Sequence, residues 1–297
     1  MIEEFDLDKY RLEHPMDYRK AISLICKDPS NPIVSKTIYQ ITRLHIPDKI
    51  FKYYSLSDNS NENLLKFNTL LDKKIYLANS RSMNDPFEGK AFYYHNEKLT
   101  KFDILKPHNG RLIDDFSNFH LLSSFTKNGI NCMPMWAHYA NNHQGYCIEY
   151  DTSNPYNQLL RSSLFPVQYT DERIDITPIM EQNIIELLHA KEIAKETKQK
   201  EIVIDNLSLV WLGIYYSCLK HSSWQYENEF RVITASNSPI APYMDALASA
   251  IYVGVNCSEL NKKRLFDIAY TLNIPFYVME FDEYSMRYEL TPKQINY

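Results

Sequence analysis

Short apolar and aromatic runs typical of β-strands recur along most of this chain, and helical patterns separate them. The first two runs enclose a helical pattern at 61–71, and the last two enclose another at 259–272. Amphipathic strands and helices bury their apolar sides against one another, so they pack in layers. The sequence therefore predicts an α+β fold, a mixed and largely antiparallel sheet flanked by helices. The predicted strands are 49–54, 74–78, 119–125, 145–150, 224–234, 250–255 and 276–281.

The clearest helical region lies in the second half of the chain. Ile179, Ile184 and Leu187 recur at helical spacing with charged residues between them. A second helix, apolar nearly all round, is predicted at 201–219. Together they predict a helical insertion near 175–220.

The first 48 residues differ from the rest in that they contain several prolines and only short helical patterns, at 16–27 and 33–44. We expect residues 1–48 to form an N-terminal helical extension and residues 49–297 to form a single α+β domain.

Composition and charge disfavour several classes of protein. The formal net charge is −5 and no basic stripe is visible, so the chain has no strong nucleic-acid signature. It lacks G-x-G-x-x-G and P-loop motifs, which disfavours a Rossmann or kinase-like ATP site. Five scattered cysteines without C-x-x-C are typical of reduced thiols in a cytosolic protein. The longest apolar stretch, 207–219, is too short to span a bilayer, so we expect a cytoplasmic location and no membrane partner.

Five short segments combine polar groups with aromatic side chains. Tyrosine and tryptophan pair a large apolar surface with a hydrogen-bonding group, which suits the lining of a cleft. We expect these segments to form the functional site. They are FKYY at 51–54, MNDPFE at 83–88, SSFT at 123–126, MWAHY at 135–139 with nearby His143 and Gly145, and WQYENEFR at 224–231.

Together these segments resemble the bacterial family catalogued as domain of unknown function 2971. The pattern of that family runs from Tyr-Lys-Tyr-Arg through Phe-Asn-Asp-Pro-Phe-Glu, a Cys-Phe-Ser strand and Met-Trp-x-His-Tyr-Ala to Trp-x-Tyr-Glu-x-Glu-x-Arg. The resemblance covers about residues 50–256. Tyr54 stands where the family has an arginine, and Met83 replaces a phenylalanine. The resemblance implies a fold and a site but no activity.

The order of the elements more distantly resembles that of ADP-ribosyltransferases. In that superfamily a first-strand residue holds the dinucleotide, a Ser-bearing strand braces the nicotinamide ribose, and a late Glu contacts a ribose hydroxyl. The resemblance implies that Glu229 is the catalytic carboxylate and Glu227 its acceptor-side partner. Breaking the glycosidic bond develops oxocarbenium charge, which a fixed carboxylate stabilises. By the same order, Ser124 and Thr126 form the middle motif and Lys52 or Tyr54 fills the first-strand position.

This interpretation makes the chain an NAD-consuming enzyme that transfers ADP-ribose to a macromolecule or to water, as a bacterial toxin or anti-phage effector would. NAD is then the co-substrate, no metal is expected, and the acceptor is open. The expected catalytic residues are Glu229, Glu227 and His138. The expected binding residues are Lys52, Tyr53, Tyr54, Asn84, Asp85, Ser124, Thr126, Trp136, Tyr139 and Arg231.

Structural roles compete with each of these assignments. Glu227 and Glu229 are two residues apart, so on a strand they share a face with Arg231, which predicts an edge-strand salt bridge. The Asn-Asp-Pro run around Asp85 is a good turn sequence. By the same reasoning His138 is a hydrogen-bonded structural histidine, and Trp136, like the other tryptophans, anchors the core.

Two other functions stay open. A ligand-sensing or protein-interaction module without turnover suits the aromatic-rich segments and the missing first-strand arginine. A metal-dependent hydrolase or nuclease would use Asp85, Glu88 and Glu227, although no H-E-x-x-H or comparable spacing supports it.

Overall fold

A computed structural model describes most of the chain. Two predictions fall outside the described part, namely most of the helix at 16–27 and the position of Asn84. The described residues are 21, 23–24, 27–28, 31–43, 46–57, 60–79, 83, 85, 87–88, 90–111, 120–199, 208–235 and 242–296.

The described residues form α-helices and β-strands that are interspersed along the chain. The α-helices are α1 Pro32–Thr42, α2 Ser60–Leu71, α3 Asn96–Leu99, α4 Met133–Tyr139, α5 Gln158–Ser163, α6 Thr177–Glu196, α7 Ser208–Tyr216 and α8 Glu259–Leu272. The strands are β1 Lys49–Tyr54, β2 Lys74–Tyr76, β3 Ala78–Asn79, β4 Phe92–Tyr93, β5 His120–Thr126, β6 Tyr146–Asp151, β7 Leu164–Pro166, β8 Gln168–Thr170, β9 Ile174–Asp175, β10 Leu219–His221, β11 Glu229–Ala235, β12 Tyr243–Asp245, β13 Ala250–Val253, β14 Phe276–Phe281 and β15 Leu290–Ile295. Short 3-10 helices occur at Lys106–His108, Pro155–Asn157 and Ser222–Glu227.

The main sheet of the described part has nine strands, in the order β15-β14-β13-β6-β1-β5-β11-β7 with β3 paired to β5. All pairs in it are antiparallel except β13 with β14. The helix α8 between β13 and β14 makes the crossover that a parallel pair needs. The prediction of an α+β fold with a mixed, largely antiparallel sheet is confirmed.

Apolar residues cover both faces of this sheet. Residue Ile50 of β1 lies in a core cluster with residues of α2 and α8. Its neighbours Phe51 and Tyr53 lie in a second cluster with Trp136 of α4, as the alternation of a strand requires. A third cluster joins α6 and α7 to β11 and contains Ile38 of α1. None of the described helices is both long and apolar enough to cross a bilayer.

The strand predicted at 74–78 is wrong in part, because the chain changes sheets at Leu77. Strand β2 pairs with β12 in a separate two-stranded sheet, whereas β3 pairs with β5 in the main sheet. Between them the N–H of Leu77 donates to the carbonyl of Pro242 at 2.7 Å.

The strand predicted at 224–234 is wrong in its first half, where Ser222–Glu227 forms a 3-10 helix and β11 begins at Glu229. The residue between them, Asn228, has a φ of 44°. That left-handed conformation interrupts a strand, and asparagine is one of the few residues that tolerate it. Glu227 and Glu229 are therefore not on one strand face. Nor is β11 an edge strand, because β5 and β7 pair with it on its two sides.

The helical insertion is present as α6 and α7, but it ends earlier than predicted. The helix predicted at 201–219 is described only from Ser208, and it ends at Tyr216. Leu219–His221 is a strand, β10, which pairs in parallel with β8. This strand brings Lys220 into the site described below.

Candidate functional site

The main sheet opens between β1 and β5. These strands pair only where Phe51 meets Thr126, and β3 pairs with Leu121 and Leu122 farther along β5. In the described part of the chain no strand pairs with Ser123–Phe125 on this edge. A cavity of about 490 Å³ fills the gap, a volume within the range of small-molecule sites.

Side chains from both faces of the sheet reach the cavity. Cross-strand partners share a face, so Glu229 lies on the face of Thr126 and Phe51, and Lys52 lies on the other. Both line the cavity because it occupies the opening between the strands. The expected site residues that line it are Lys52, Tyr53, Tyr54, Asp85, Ser124, Tyr139, Glu227, Glu229 and Arg231.

A chain of buried ion pairs forms one wall of the cavity. Lys220 Nζ lies 2.6 Å from Glu227 Oε2 and 3.2 Å from Glu229 Oε2. Arg231 contacts Glu229 through Nε at 2.7 Å and through Nη2 at 3.0 Å. The same guanidinium binds both carboxylate oxygens of Glu88, with 3.0 Å from Nη2 to Oε2. When all five groups are ionised, three carboxylates face two cations.

The two central carboxylates have pKa values shifted in opposite directions. Burial opposes the ionised form of Glu229, but Arg231 and Lys220 outweigh it and lower its pKa to about 2. Burial and the neighbouring charge of Glu229 raise the pKa of Glu227, although Lys220 opposes this shift. Carboxylates separated in this way can take different roles, one staying ionised while the other exchanges a proton.

Helix α4 supplies a tyrosine to this wall. The helix has a proline, Pro134, in its first turn, where the missing N–H costs nothing. At its other end the hydroxyl of Tyr139 donates to Glu227 Oε1. Burial and the two glutamates raise the pKa of Tyr139, so its proton stays on the phenol at neutral pH.

Lys52 is a half-buried cation on the opposite side of the gap. Its Nζ donates to the carbonyl of Ser124 at 3.1 Å and lies 5.4 Å from the ring centroid of Tyr54 and 5.3 Å from that of Phe125. Burial lowers its pKa to about 8, against the attraction of Glu229. An ammonium that has lost part of its hydration is stabilised by an anionic ligand, so this position favours one.

Three expected site residues lie outside the cavity lining. Trp136 is fully buried and donates its indole N–H to the carbonyl of Ile130 at 2.7 Å, which is the core role. His138 is exposed on α4, and its ring centroid lies 6.3 Å from that of Tyr226. Thr126 is buried, and its hydroxyl donates to the backbone carbonyl of Glu227 at 2.5 Å. It therefore holds the backbone of Glu227 in place.

The sequence did not predict the contacts that three residues make at the site. Lys220 joins both carboxylates, and its Nζ lies 4.8 Å from the ring centroid of Trp224, which lines the cavity. For Glu88 the sequence offered a role only in the metal-dependent alternative, and its contact with Arg231 was not predicted. The turn interpretation also holds, because Asp85 Oδ1 accepts the N–H of Phe87 at 2.9 Å. In the described residues, no group of three or more His, Cys, Asp or Glu side chains is placed to hold a metal ion.

A family model covers the part of the chain that carries one wall of this cavity. Residues 135–232 match the family described as "Protein of unknown function (DUF2971)". Searches of curated proteins and of solved structures gave no match.

The DUF2971 match is shorter than the expected resemblance over about residues 50–256. It contains Tyr139, Lys220, Glu227, Glu229 and Arg231, all of which line the cavity. The segments on β1, in the turn at Asp85 and on β5 lie outside it. The match therefore includes Glu227, Glu229 and the two cations that contact them, whereas Glu88 lies outside it.

Proposed function

We propose that the cavity binds NAD and cleaves the bond between its nicotinamide and ribose. The observation that carries this proposal is the adjacency of β1, β5 and β11. Lys52, Ser124 and Glu229 come from these three strands and line one cavity. The resemblance to ADP-ribosyltransferases assigned dinucleotide binding to Lys52 or Tyr54, ribose bracing to Ser124 with Thr126, and catalysis to Glu229.

The charge of the buried wall supports cleavage of this bond. When the bond breaks, its electron pair goes to the ring nitrogen of the departing nicotinamide and positive charge develops on the ribose. A cluster with three carboxylates and two cations stabilises that charge, provided that Glu229 stays ionised. Its pKa of about 2 keeps it ionised at all physiological pH values.

Glu227 is suited to accept the proton of the attacking group. A hydroxyl of an acceptor, or water, bonds to the ribose carbon and loses its proton to the carboxylate. The raised pKa of Glu227 makes its carboxylate a stronger base than that of Glu229. The hydroxyl of Tyr139 donates to Oε1 of Glu227, which fixes the orientation of this carboxylate.

The open strand edge can hold the nicotinamide group. The carbonyl of Ser124 points into the gap, where it accepts Lys52 Nζ. The N–H of the same residue points to the same edge, because both groups of a strand residue project to one side. A carboxamide offers one acceptor and a pair of donors, which complements such an edge.

The Glu227→Gln variant tests this proposal. We expect nicotinamide release from NAD, assayed with a cell extract as the source of acceptors, to fall at least ~100-fold because the base is lost. The melting temperature should change little, because glutamine keeps an oxygen for Lys220 and that lysine still contacts Glu229. Glu259→Gln, a substitution of an exposed glutamate on α8, serves as the control and should keep wild-type release.

Absence of nicotinamide release by the wild-type chain, with or without extract, would contradict the proposal. Both oxygens of Glu229 already accept hydrogen bonds from Arg231, an arrangement that also suits binding without turnover. In that case NAD should raise the melting temperature while no nicotinamide appears, and the chain would be a ligand-sensing module.

A further inference from the structure

Two tyrosines that take no part in the ion pairs form an aromatic ledge on the lining of the cavity. They are Tyr76 and Tyr243, cross-strand partners in the two-stranded sheet of β2 and β12. Their ring centroids are 5.6 Å apart with planes at 66°. Tyr76 is 49% exposed although it lines the cavity, so a large part of its ring is accessible to a ligand.

Helix α2 adds an apolar side chain and a cation to the lining of the same cavity. This helix packs against β2, and its residues Leu65 and Lys66 line the cavity with the tyrosines. Leu65 is 59% exposed and lines the cavity, so its side chain is accessible to a ligand there. The Nζ of Lys66 donates to the carbonyl of Ser55, just beyond β1.

The ledge is not explained by the chemistry at Glu227 and Glu229. Reaction at the ribose needs the nicotinamide half of the dinucleotide, whereas the ledge adds two aromatic rings to the lining, one exposed (Tyr76) and one half-buried (Tyr243). An aromatic ring provides a flat face for stacking. Any nucleobase can stack on it, because every base has a π-face.

We infer that Tyr76 and Tyr243 form an adenine subsite, in which the purine of a dinucleotide stacks on the ledge and contacts Leu65. This inference rests on the proposed function for the identity of the whole ligand. The phosphates of the dinucleotide would then run between the ledge and the β1–β5 gap, past Lys66 and Lys52. An adenosine phosphate combines an aromatic base with anionic phosphates. The tyrosine rings suit the base, and the two lysines suit the phosphates.

Binding of AMP, which lacks nicotinamide, tests the subsite without turnover. We expect titration calorimetry of the full chain to show AMP binding, and Tyr76→Ala and Tyr243→Ala each to weaken it ~10-fold through lost stacking. Tyr76→Phe should bind as the wild type does, because it keeps the ring. Tyr284→Ala, a change of a tyrosine that is 95% exposed in the loop between β14 and β15, is the control.

A second readout compares NAD with nicotinamide mononucleotide, which has no adenine. Tyr76→Ala should raise the KM for NAD ~10-fold and leave kcat, and the KM for the mononucleotide, unchanged. Equal AMP affinity in the wild type and both alanine variants would overturn the subsite, as would a wild type that does not bind AMP.

The two proposals fail in distinguishable ways. If the wild type cleaves NAD but Tyr76→Ala leaves its KM unchanged, the subsite is overturned and the cleavage stands. If the wild type binds AMP through the ledge but releases no nicotinamide, the cleavage is overturned and the adenine subsite stands.

Discussion

Lys52 carries a charge that opposes folding and favours ligand binding. Its amine lies near the rings of Tyr54 and Phe125, with a backbone carbonyl as its hydrogen-bond acceptor. Burial lowers its pKa from 10.5 to about 8, so at neutral pH the folded chain holds an ammonium at an energetic cost. Such costs are typical of sites that are completed by a ligand of opposite charge.

The Lys52→Met variant should therefore be more stable than the wild type at pH 7, by roughly 1–3 kcal/mol. Below pH 8 both the folded and the unfolded chain bind the proton, and the folded state bears the full cost. Between about pH 8 and 10.5 only the unfolded chain keeps the proton, so the stability of the wild type rises with pH across this window. The difference between the variants should shrink accordingly in urea unfolding measured from pH 7 to 10.

Lys263→Met is the matched control, because Lys263 is exposed on α8. Its unfolding free energy should follow that of the wild type at every pH. The same Lys52→Met chain should bind AMP and NAD more weakly, since the cation is lost. A Lys52→Met variant less stable than the wild type at pH 7 would mean that the ammonium is well solvated in the folded chain.

At the scale of elements, the junction between the 3-10 helix and β11 sets the positions of both glutamates. Asn228 adopts its left-handed conformation there, and its side chain donates to Asn128 Oδ1 at 2.7 Å. The carbonyl of Asn228 accepts the N–H of Lys127 at 3.2 Å. The bend places Glu227 at the end of the 3-10 helix and Glu229 at the start of β11, and both carboxylates contact Lys220.

Asn228→Val should thus lower both stability and nicotinamide release. A β-branched residue at positive φ costs about 1–2 kcal/mol, and the junction relaxes by moving Glu227. Asn228→Gly, which adopts the conformation freely, should lose less of both. Asn273→Val is the control, because Asn273 has a φ of 54° at the end of α8, away from the cavity.

Thermal unfolding and the release assay separate the two effects. Asn273→Val should lower the melting temperature to a similar extent and keep wild-type release from the molecules that remain folded. If Asn228→Val loses stability but keeps full release, the junction does not position Glu227.

The same junction shows what the sequence can predict about elements and what it cannot. Strands such as β1 and β6 and the helix α8 were predicted nearly to the residue, because their apolar periodicity is regular and long. The breaks at Leu77 and Asn228 were not, because each depends on a partner far along the chain, Pro242 in one case and Asn128 in the other. Lys220 was missed for the same reason, since its short strand is defined by pairing with β8.

At the scale of the whole molecule, the cavity wall joins segments that are far apart in the sequence. Arg231 of β11 contacts Glu88, 143 residues earlier, and the carbonyl of Ser217 at the end of the helical insertion. The spacing of Glu227, Glu229 and Arg231 predicts that their charges meet. It does not predict Glu88, which comes close to Arg231 only when the chain has folded. Arg231 is 1% exposed, so these partners take the place of the water that would otherwise solvate its charge.

Arg231→Met should accordingly destabilise the whole chain by about 3–5 kcal/mol, because Glu88 would stay buried without Arg231 and Glu229 would keep only Lys220. Arg231→Lys should be intermediate, since it restores the charge but not the paired contacts of a guanidinium. Lys293→Met is the control. Its partner Glu280 is exposed, and loss of such a surface pair costs less than about 1 kcal/mol.

Urea unfolding followed by fluorescence of the three tryptophans distinguishes the outcomes. Trp211 lies in the helical insertion and Trp136 on α4, so a single shared transition reports the molecule as one unit. An Arg231→Met chain whose midpoint matches that of Lys293→Met would show that the buried network adds nothing to stability. A transition that splits in two in the Arg231→Met chain alone would show that Arg231 couples the insertion to the sheet.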